Sequence, residues 1–434
     1  SGNLIGDTGQ VIFISGIDGE KKYVENELSF MILDIITSLN IPDPKIILRA
    51  NKYTSKELWF SSIDCIAKGN GSPLIANEEK IMNLMQSFGY EADDCINWGT
   101  SACWEPLIIG KSFDQNNCAE NISLLRPLVD MINQYDNIGA YNEFEQIYIK
   151  ELQSYAQSIT TKYQTIMFDP SPLHSIWMDG CIEQLKDISA GGAKYNYHGF
   201  LAVGLPNVVN ALLNIEDYIY DKKIITLSEC RDVLKNNYAK REDIQVLFQE
   251  NSSKFGDSSA RVLKLTNKIM QTVSNVVAQS AINGQKAKIG FSSPSYIRAS
   301  EFLQASPDGR KYGEPLGVHI SPVSHNIGIA EIIRFASQLD YSGNKINGNV
   351  VDFVVTETFI RDKDKFLEIL KSAVRQGVYE MQLNVLNAEK LIAAKADPTL
   401  YPNLVVRVWG FSAYFNDLPE AYKDHLIKRA QMYV

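Results

Sequence analysis

Two stretches of the chain carry residue types whose spacing could do uncommon chemistry. The first is RVWGFSAYF, Arg407 to Phe415, where Gly410 interrupts a strongly strand-forming run. A lone glycine there is first of all a bulge or a point of close backbone approach. Glycine also has a chemical property of its own. Its Cα can become a planar radical, delocalised between amide nitrogen and carbonyl, with no side chain to clash. Such a radical is useful only beside a group that exchanges a hydrogen atom with it, and a cysteine thiol, with its weak S–H bond, is the obvious partner. The second stretch is GTSACWEPLIIGKSFDQNN, in which Cys103 and Glu105 stand two apart. In an extended segment both would point to one face, giving one cavity a hydrogen-atom abstractor and a general acid/base. Taken singly, Cys103 reads as a packed thiol and Glu105 as solvated surface. Only the combination suggests chemistry.

The elements that must position these residues read as α/β. Asn26 precedes ELSFMILDIITSLN, whose apolar residues cover a broad face, and Pro42 follows it. KIILRA, Lys45 to Ala50, reads as a short buried strand. Ser55 and Asn77 can cap KELWFSSIDCIAKG and EEKIMNLMQSFG. This alternation predicts a mostly parallel sheet. The middle is more helical, and AGGAKYNYHG and SPDGRKYGEPLG read as ordered loops. VVDFVVTETF, YEMQLNVLN and NLVVRVWGF are strand candidates, and Pro419 is expected in the first turn of the last helix. With no repeat or linker, one domain is the default.

The 434 residues, 45% of them hydrophobic, suffice for a sizeable core, and no apolar run reaches bilayer length. A net charge of -9 disfavours nucleic acid or an anionic membrane as partner and favours a small molecule. The six cysteines, Cys65, Cys95, Cys103, Cys118, Cys181 and Cys230, are scattered, with no CxxC pair and no cysteine-histidine cluster. No metal site is expected, and reduced thiols point to the cytoplasm. The opening SGN leaves open whether the true N-terminus is present.

RVWGFSAYFNDLP resembles the radical-site signature of the glycyl radical enzymes related to pyruvate formate-lyase and glycerol dehydratase, in which an arginine-valine-x-glycine-aromatic core carries the radical glycine. SACWEPLIIGK is similar to that family's cysteine loop, with Cys103 at the thiyl position and Glu105 at the base position of the dehydratase-like branch. MDGCIEQLKDISAGGAKYNYHG, SPDGRKYGEPLGVHISP and YEMQLNVLNAEKLIAAKADPTLYPNL resemble further family blocks in the same order, so the likeness runs from about Gly9 to the end. Cys181, also two before a glutamate, fits a structural block instead. Trp409 departs from the smaller residues that usually precede the radical glycine.

The resemblance implies a glycyl radical enzyme-type α/β barrel surrounded by helices. Residues 1–385 would form the barrel core with the thiyl-cysteine loop, and 386–434 the glycyl radical domain. Family members usually hold about twice as many residues, in a ten-stranded barrel of two five-stranded halves, and the half missing here precedes the cysteine loop. Either a separate chain supplies it, or the sequence is a fragment, or an abbreviated barrel works alone.

The implied reaction is that of an oxygen-sensitive radical lyase. A radical S-adenosylmethionine activating enzyme, which holds the iron-sulfur cluster, makes the radical at Gly410; this chain binds no cofactor of its own. The radical passes to Cys103, whose thiyl takes hydrogen from a small hydroxylated substrate, and Glu105 assists loss of water or a similar leaving group. Cys103 is followed by Trp104, not a second cysteine, which argues against acyl transfer to sulfur. An arylacetate-type decarboxylase stays open, since Trp104 and Trp409 suit an aromatic substrate, as does a non-catalytic half-barrel or spare radical subunit. Anaerobic ribonucleotide reductase is disfavoured by the lack of a cysteine zinc site. Weaker substrate-contact candidates are Trp104, Gln382, Asn384 and His319. Asp308, Gly309 and Arg310 read first as a turn, His198 as structural, and Glu183 as cavity-facing or a helix-entry charge. A homo-oligomer is expected.

Overall fold

Asn26, Ser55 and Asn77 each start a helix, as their places ahead of apolar runs predict. Asn26 accepts a hydrogen bond from the Ser29 amide at 3.2 Å, Ser55 from Leu58 at 3.0 Å and Asn77 from Lys80 at 3.3 Å, each satisfying an amide that the helix leaves unpaired. In this computed structural model the described residues are 10–113, 120–135, 137–323 and 327–432; Cys118 lies outside them. The first elements are β1 (Val11–Ile14), α1 (Glu27–Leu39), β2 (Lys45–Ala50), α2 (Lys56–Cys65), β3 (Leu74–Asn77) and α3 (Glu78–Phe88). The next are β4 (Ile122–Ser123), α4 (Tyr141–Lys162), β5 (His198–Val203), α5 (Leu205–Asn214), α6 (Ala260–Gln279) and β6 (Ala287–Gly290). Those nearest the C-terminus are β7 (Val350–Val355), α7 (Lys363–Gln376), β8 (Glu380–Val385), α8 (Ala388–Ala396), β9 (Val405–Trp409), β10 (Phe411–Tyr414) and α9 (Glu420–Gln431). Pro419 stands at the cap of α9, just ahead of its first turn.

The contacts gather into two compact units where the lack of a linker suggests one domain. One is Ser1–Trp104 with Val350–Val434, the other Glu105–Asn349. The first joins distant parts of the chain because β3 and β8 pair in one sheet, of order β1-β2-β3-β8-β7. Its pairs are parallel except at that junction. All six residues of β2 and of β7 are buried, as expected for parallel strands covered on both faces. The second unit has its own parallel sheet, β6-β5-β4, and α4 packs along α6. The α/β expectation is met. Among the described residues no helix is long and apolar enough to cross a membrane.

Candidate active site

Gly410 lies at a reversal of the chain. RVWGFSAYF, read as one interrupted strand, is an antiparallel hairpin in which Arg407 faces Ser412 and Trp409 faces Phe411, with a register shift between Arg407 and Trp409. Gly410, at the tip, has φ +31°, in the left-handed region that disfavours other residues. It is buried and closely covered. A β-carbon built on it would stand 2.1 Å from Cys103 Cβ, 2.4 Å from Cys103 Sγ and 2.4 Å from Trp104 Cζ3. The two residues singled out in the sequence are therefore in van der Waals contact, and Trp104 walls the glycine. The direction of an L side chain is that of the pro-S hydrogen, so this hydrogen of Gly410 points at the Cys103 side chain. Cys103 and Trp104 are themselves buried.

The hairpin is held by a buried polar network. The Arg407 stem runs beneath Gly71, where a β-carbon would come within 2.5 Å of it and φ is +68°. Arg407 Nε donates to Gln382 Oε1 at 2.8 Å, and Nη1 lies 3.5 Å from Ser412 Oγ, which in turn donates to the Asn70 carbonyl. Burial lowers the Arg407 guanidinium to about 10, partly opposed by Cys103, Asp352 and Asp43. On the next strand Asp352 accepts from Asn384 Nδ2 and from Arg429 Nη1 of α9, both at 2.7 Å. Trp409 gains a structural reason: its ring packs edge-on against Phe411 at 4.9 Å and against Tyr422 of α9 at 5.2 Å.

Gln382 and Asn384, which the period-2 rule places on one face, are both fully buried in this network. Gln382 Nε2 and Asn384 Oδ1 find no hydrogen-bond partner among the described residues, a costly state for buried polar atoms. Sequence reasoning missed Gly71, Asp352 and Arg429 and gave Arg407 no separate role. The available signal was a charge inside each of two apolar runs, the aspartate of VVDFVV and the arginine of VVRVW. Arg429 is a charged partner of the buried Asp352 carboxylate, so Arg429→Met is expected to destabilise the protein by about 3–5 kcal/mol. Urea unfolding checks this, and Asp352→Asn in the same chain should recover part of the loss.

Glu105 begins the second unit and is buried. Ser101–Trp104 is a run of bends rather than a strand, so the alternation rule does not apply to Cys103 and Glu105. His319, also in the second unit, is buried with φ +55°, uncommon for a residue with a side chain. His198 lies in β5 and stacks on Phe168 at 5.9 Å. Arg310 donates to the carbonyls of Lys311 and Glu314, and Asp308 accepts from Asn207 and Ser306, each at 2.6 Å, as a loop support would. Glu183 accepts from the Gly180 amide at 3.0 Å. Cys181 packs with Ile188 and Ala193, and burial raises its thiol pKa, as it does for Cys65, Cys95 and Cys230. Among the described residues no group of three histidine, cysteine, aspartate or glutamate side chains could hold a metal.

Residues 4–296 match the model of the pyruvate formate lyase-like family, and residues 319–416 that of the glycine radical. The trans-4-hydroxy-L-proline dehydratase of Clostridioides difficile is 25% identical over 444 residues, covering 96% of this chain and 56% of the dehydratase. The indoleacetate decarboxylase of Tractidigestivibacter scatoligenes is 24% identical, covering 96% of this chain and 53% of the decarboxylase. The chain spans about half the length of the curated relatives it matches. Among solved structures, the glycerol-bound form of the B12-independent glycerol dehydratase from Clostridium butyricum matches with a TM-score of 0.85 at 25% identity, over 96% of this chain and 56% of that one.

Proposed function

We propose, from the premise that this chain belongs to the pyruvate formate lyase-like family, that it is a glycyl radical lyase of the dehydratase type, acting on a small hydroxylated substrate. The observation that carries the reading is the contact of Gly410 with Cys103. A radical S-adenosylmethionine activase removes one hydrogen atom from the Gly410 Cα. The Gly410 radical then takes the hydrogen of the Cys103 S–H bond, which restores the glycine and leaves a thiyl. The thiyl takes a hydrogen atom from a substrate carbon bearing a hydroxyl. Glu105 accepts the hydroxyl proton, the C–O bond on the neighbouring carbon breaks, and the departing hydroxide takes that proton back from Glu105 and leaves as water. The product radical recovers the hydrogen held by Cys103. A buried, dry site keeps the intermediates from side reactions, and fixing the sulfur against one C–H bond supplies much of the rate.

In this reading residues 386–434 act as the radical domain, and Gln382, whose Nε2 donor has no partner among the described residues, and Asn384, whose Oδ1 acceptor has none, are candidate substrate contacts, as are Trp104 and His319. An oxygen-poor cytoplasm and an assembly of several copies fit the same chemistry. Arylacetate decarboxylation is the second reading, favoured by the 24% identity to the indoleacetate decarboxylase and by the buried Trp104. Anaerobic chain treated with an activase should give a doublet glycyl signal by electron paramagnetic resonance and dehydrate a member of a diol and hydroxy-acid panel. No signal with any family activase would sink the proposal, and carbon dioxide from an arylacetate would move it to the second reading. Glu105→Gln should keep the doublet and lower turnover by about 10²- to 10⁴-fold, measured as initial rate.

A further inference from the structure

The first unit holds a second buried charge pair that the radical chemistry does not use. Glu78 Oε1 lies 3.0 Å from Arg49 Nε and 2.6 Å from Arg49 Nη2, and accepts from the Ile17 amide at 2.8 Å. Its Oε2 accepts from Asn51 Nδ2 at 2.7 Å. Arg49, Asn51 and Glu78 are all buried. Gly16 passes close over the pair: a β-carbon there would stand 2.7 Å from Arg49 Nε and 2.8 Å from Glu78 Oε1. Arg49 is the last residue but one of β2, and Glu78 is the first of α3, where the helix dipole favours a carboxylate. Such a pair adds little net stability, because desolvation of two charges offsets their attraction. What a planar guanidinium adds is direction, since its donors leave it at fixed angles.

That direction leads to the cysteine loop. While Glu78 fixes one side of the fork, Arg49 Nη2 also donates to the Ile96 carbonyl at 2.8 Å, and the guanidinium lies over the Trp98 ring, 5.2 Å from its centre. Phe13 meets the same ring edge-on at 5.6 Å. Four residues, Gly99 to Ala102, separate Trp98 from Cys103, and the chain bends from Ser101 onward. The place of the sulfur therefore depends on how the chain enters those bends. We propose that the Arg49–Glu78 pair is a positioning device for the thiol: by tying Ile96 and Trp98 it sets the approach of Cys103 to Gly410. Arg407 and its partners do the same for the glycine from the other side of the contact. Neither Arg49 nor Glu78 takes part in the bond changes. The proposal deepens the radical reading above and rests on it for the chemistry that the positioning serves.

The test compares Arg49→Met and Arg49→Lys with the parent protein, each activated anaerobically and moved into deuterium oxide. Lysine keeps a charge for Glu78 but has no fork with which to reach Ile96 as well. A misplacement of about 1 Å can slow a reaction by about 10²-fold, so the glycyl doublet of both variants should collapse to a singlet about tenfold more slowly than the parent's, or slower still. A pair that only stabilises the fold predicts otherwise: a lowered urea midpoint with collapse at the parental rate. That result in either folded variant overturns the proposal, and if Arg49→Met does not fold, Arg49→Lys decides. If the parent gives no doublet, the radical reading falls, and the positioning is judged without it. Native protein is then treated with iodoacetamide and alkylation of Cys103 is followed by peptide mass spectrometry. Alkylation about tenfold faster in the variants than in the parent supports the positioning role, and an unchanged rate overturns it.

Discussion

Gly410→Ala is expected to abolish both the glycyl doublet and turnover. Two effects act together. A methyl at this position meets Cys103 Cβ at 2.1 Å and Trp104 Cζ3 at 2.4 Å, and both atoms belong to packed, buried residues that cannot rotate away. The backbone at φ +31° adds strain for any residue with a β-carbon. Overpacking and strain of this kind cost about 1–3 kcal/mol each, so the variant should fold with a lowered melting temperature. The electronic effect is larger. A radical centred on Cα must flatten, and the glycine can flatten against the sulfur only because nothing but hydrogen lies between them. Electron paramagnetic resonance after anaerobic activation, with melting followed by circular dichroism, separates the two. A folded variant that keeps the doublet, or turns over at the parent rate, removes Gly410 from the chemistry.

Cys103→Ser should leave the radical and remove catalysis. The serine hydroxyl matches the thiol in shape closely enough to keep the hairpin seated, but its O–H bond is far too strong to give a hydrogen atom to a stabilised glycyl radical. Turnover should fall to background while the doublet persists. Exchange with solvent provides a sharper readout. In deuterium oxide the thiol becomes S–D and delivers deuterium to the face of Gly410 that points at the sulfur. The parent protein should take deuterium onto the Gly410 Cα in place of its remaining hydrogen and lose its doublet splitting, whereas the serine variant should do neither. Deuterium entering the serine variant at the parent rate would show that Cys103 is not the exchange partner.

The hairpin illustrates what was and was not legible. The glycine, the flanking aromatics and the arginine three residues before it are visible in RVWGFSAYF, but so strand-forming a run hides a reversal. Only a left-handed φ at Gly410 turns it, and nothing in the local residue types other than the glycine itself permits that. The pairing of Gln382 and Asn384 on one face followed from the two-residue period of a strand. That one holds Arg407 and the other Asp352 did not, because both partners arrive from elements distant in the chain. The expected extension through Cys103 and Glu105 failed for a related reason. Alternation holds only where a ladder keeps the chain straight, and the chain bends at Ser101–Trp104.

By itself the sequence determined the inventory: a residue whose Cα can bear a radical, a thiol able to exchange hydrogen with it, a carboxylate two positions on, three capped helices and the buried parallel strands between them. These are properties of residue type and short-range period, fixed by covalent chemistry and by the geometry of a single turn or strand. Tertiary structure alone decided that Gly410 meets Cys103, that Trp409 fills the space against Tyr422, and that Arg429 anchors the last helix to Asp352. Each is a contact between segments far apart along the chain. Such contacts are selected by close packing and by the need to pair every buried charge, conditions met only by the folded whole.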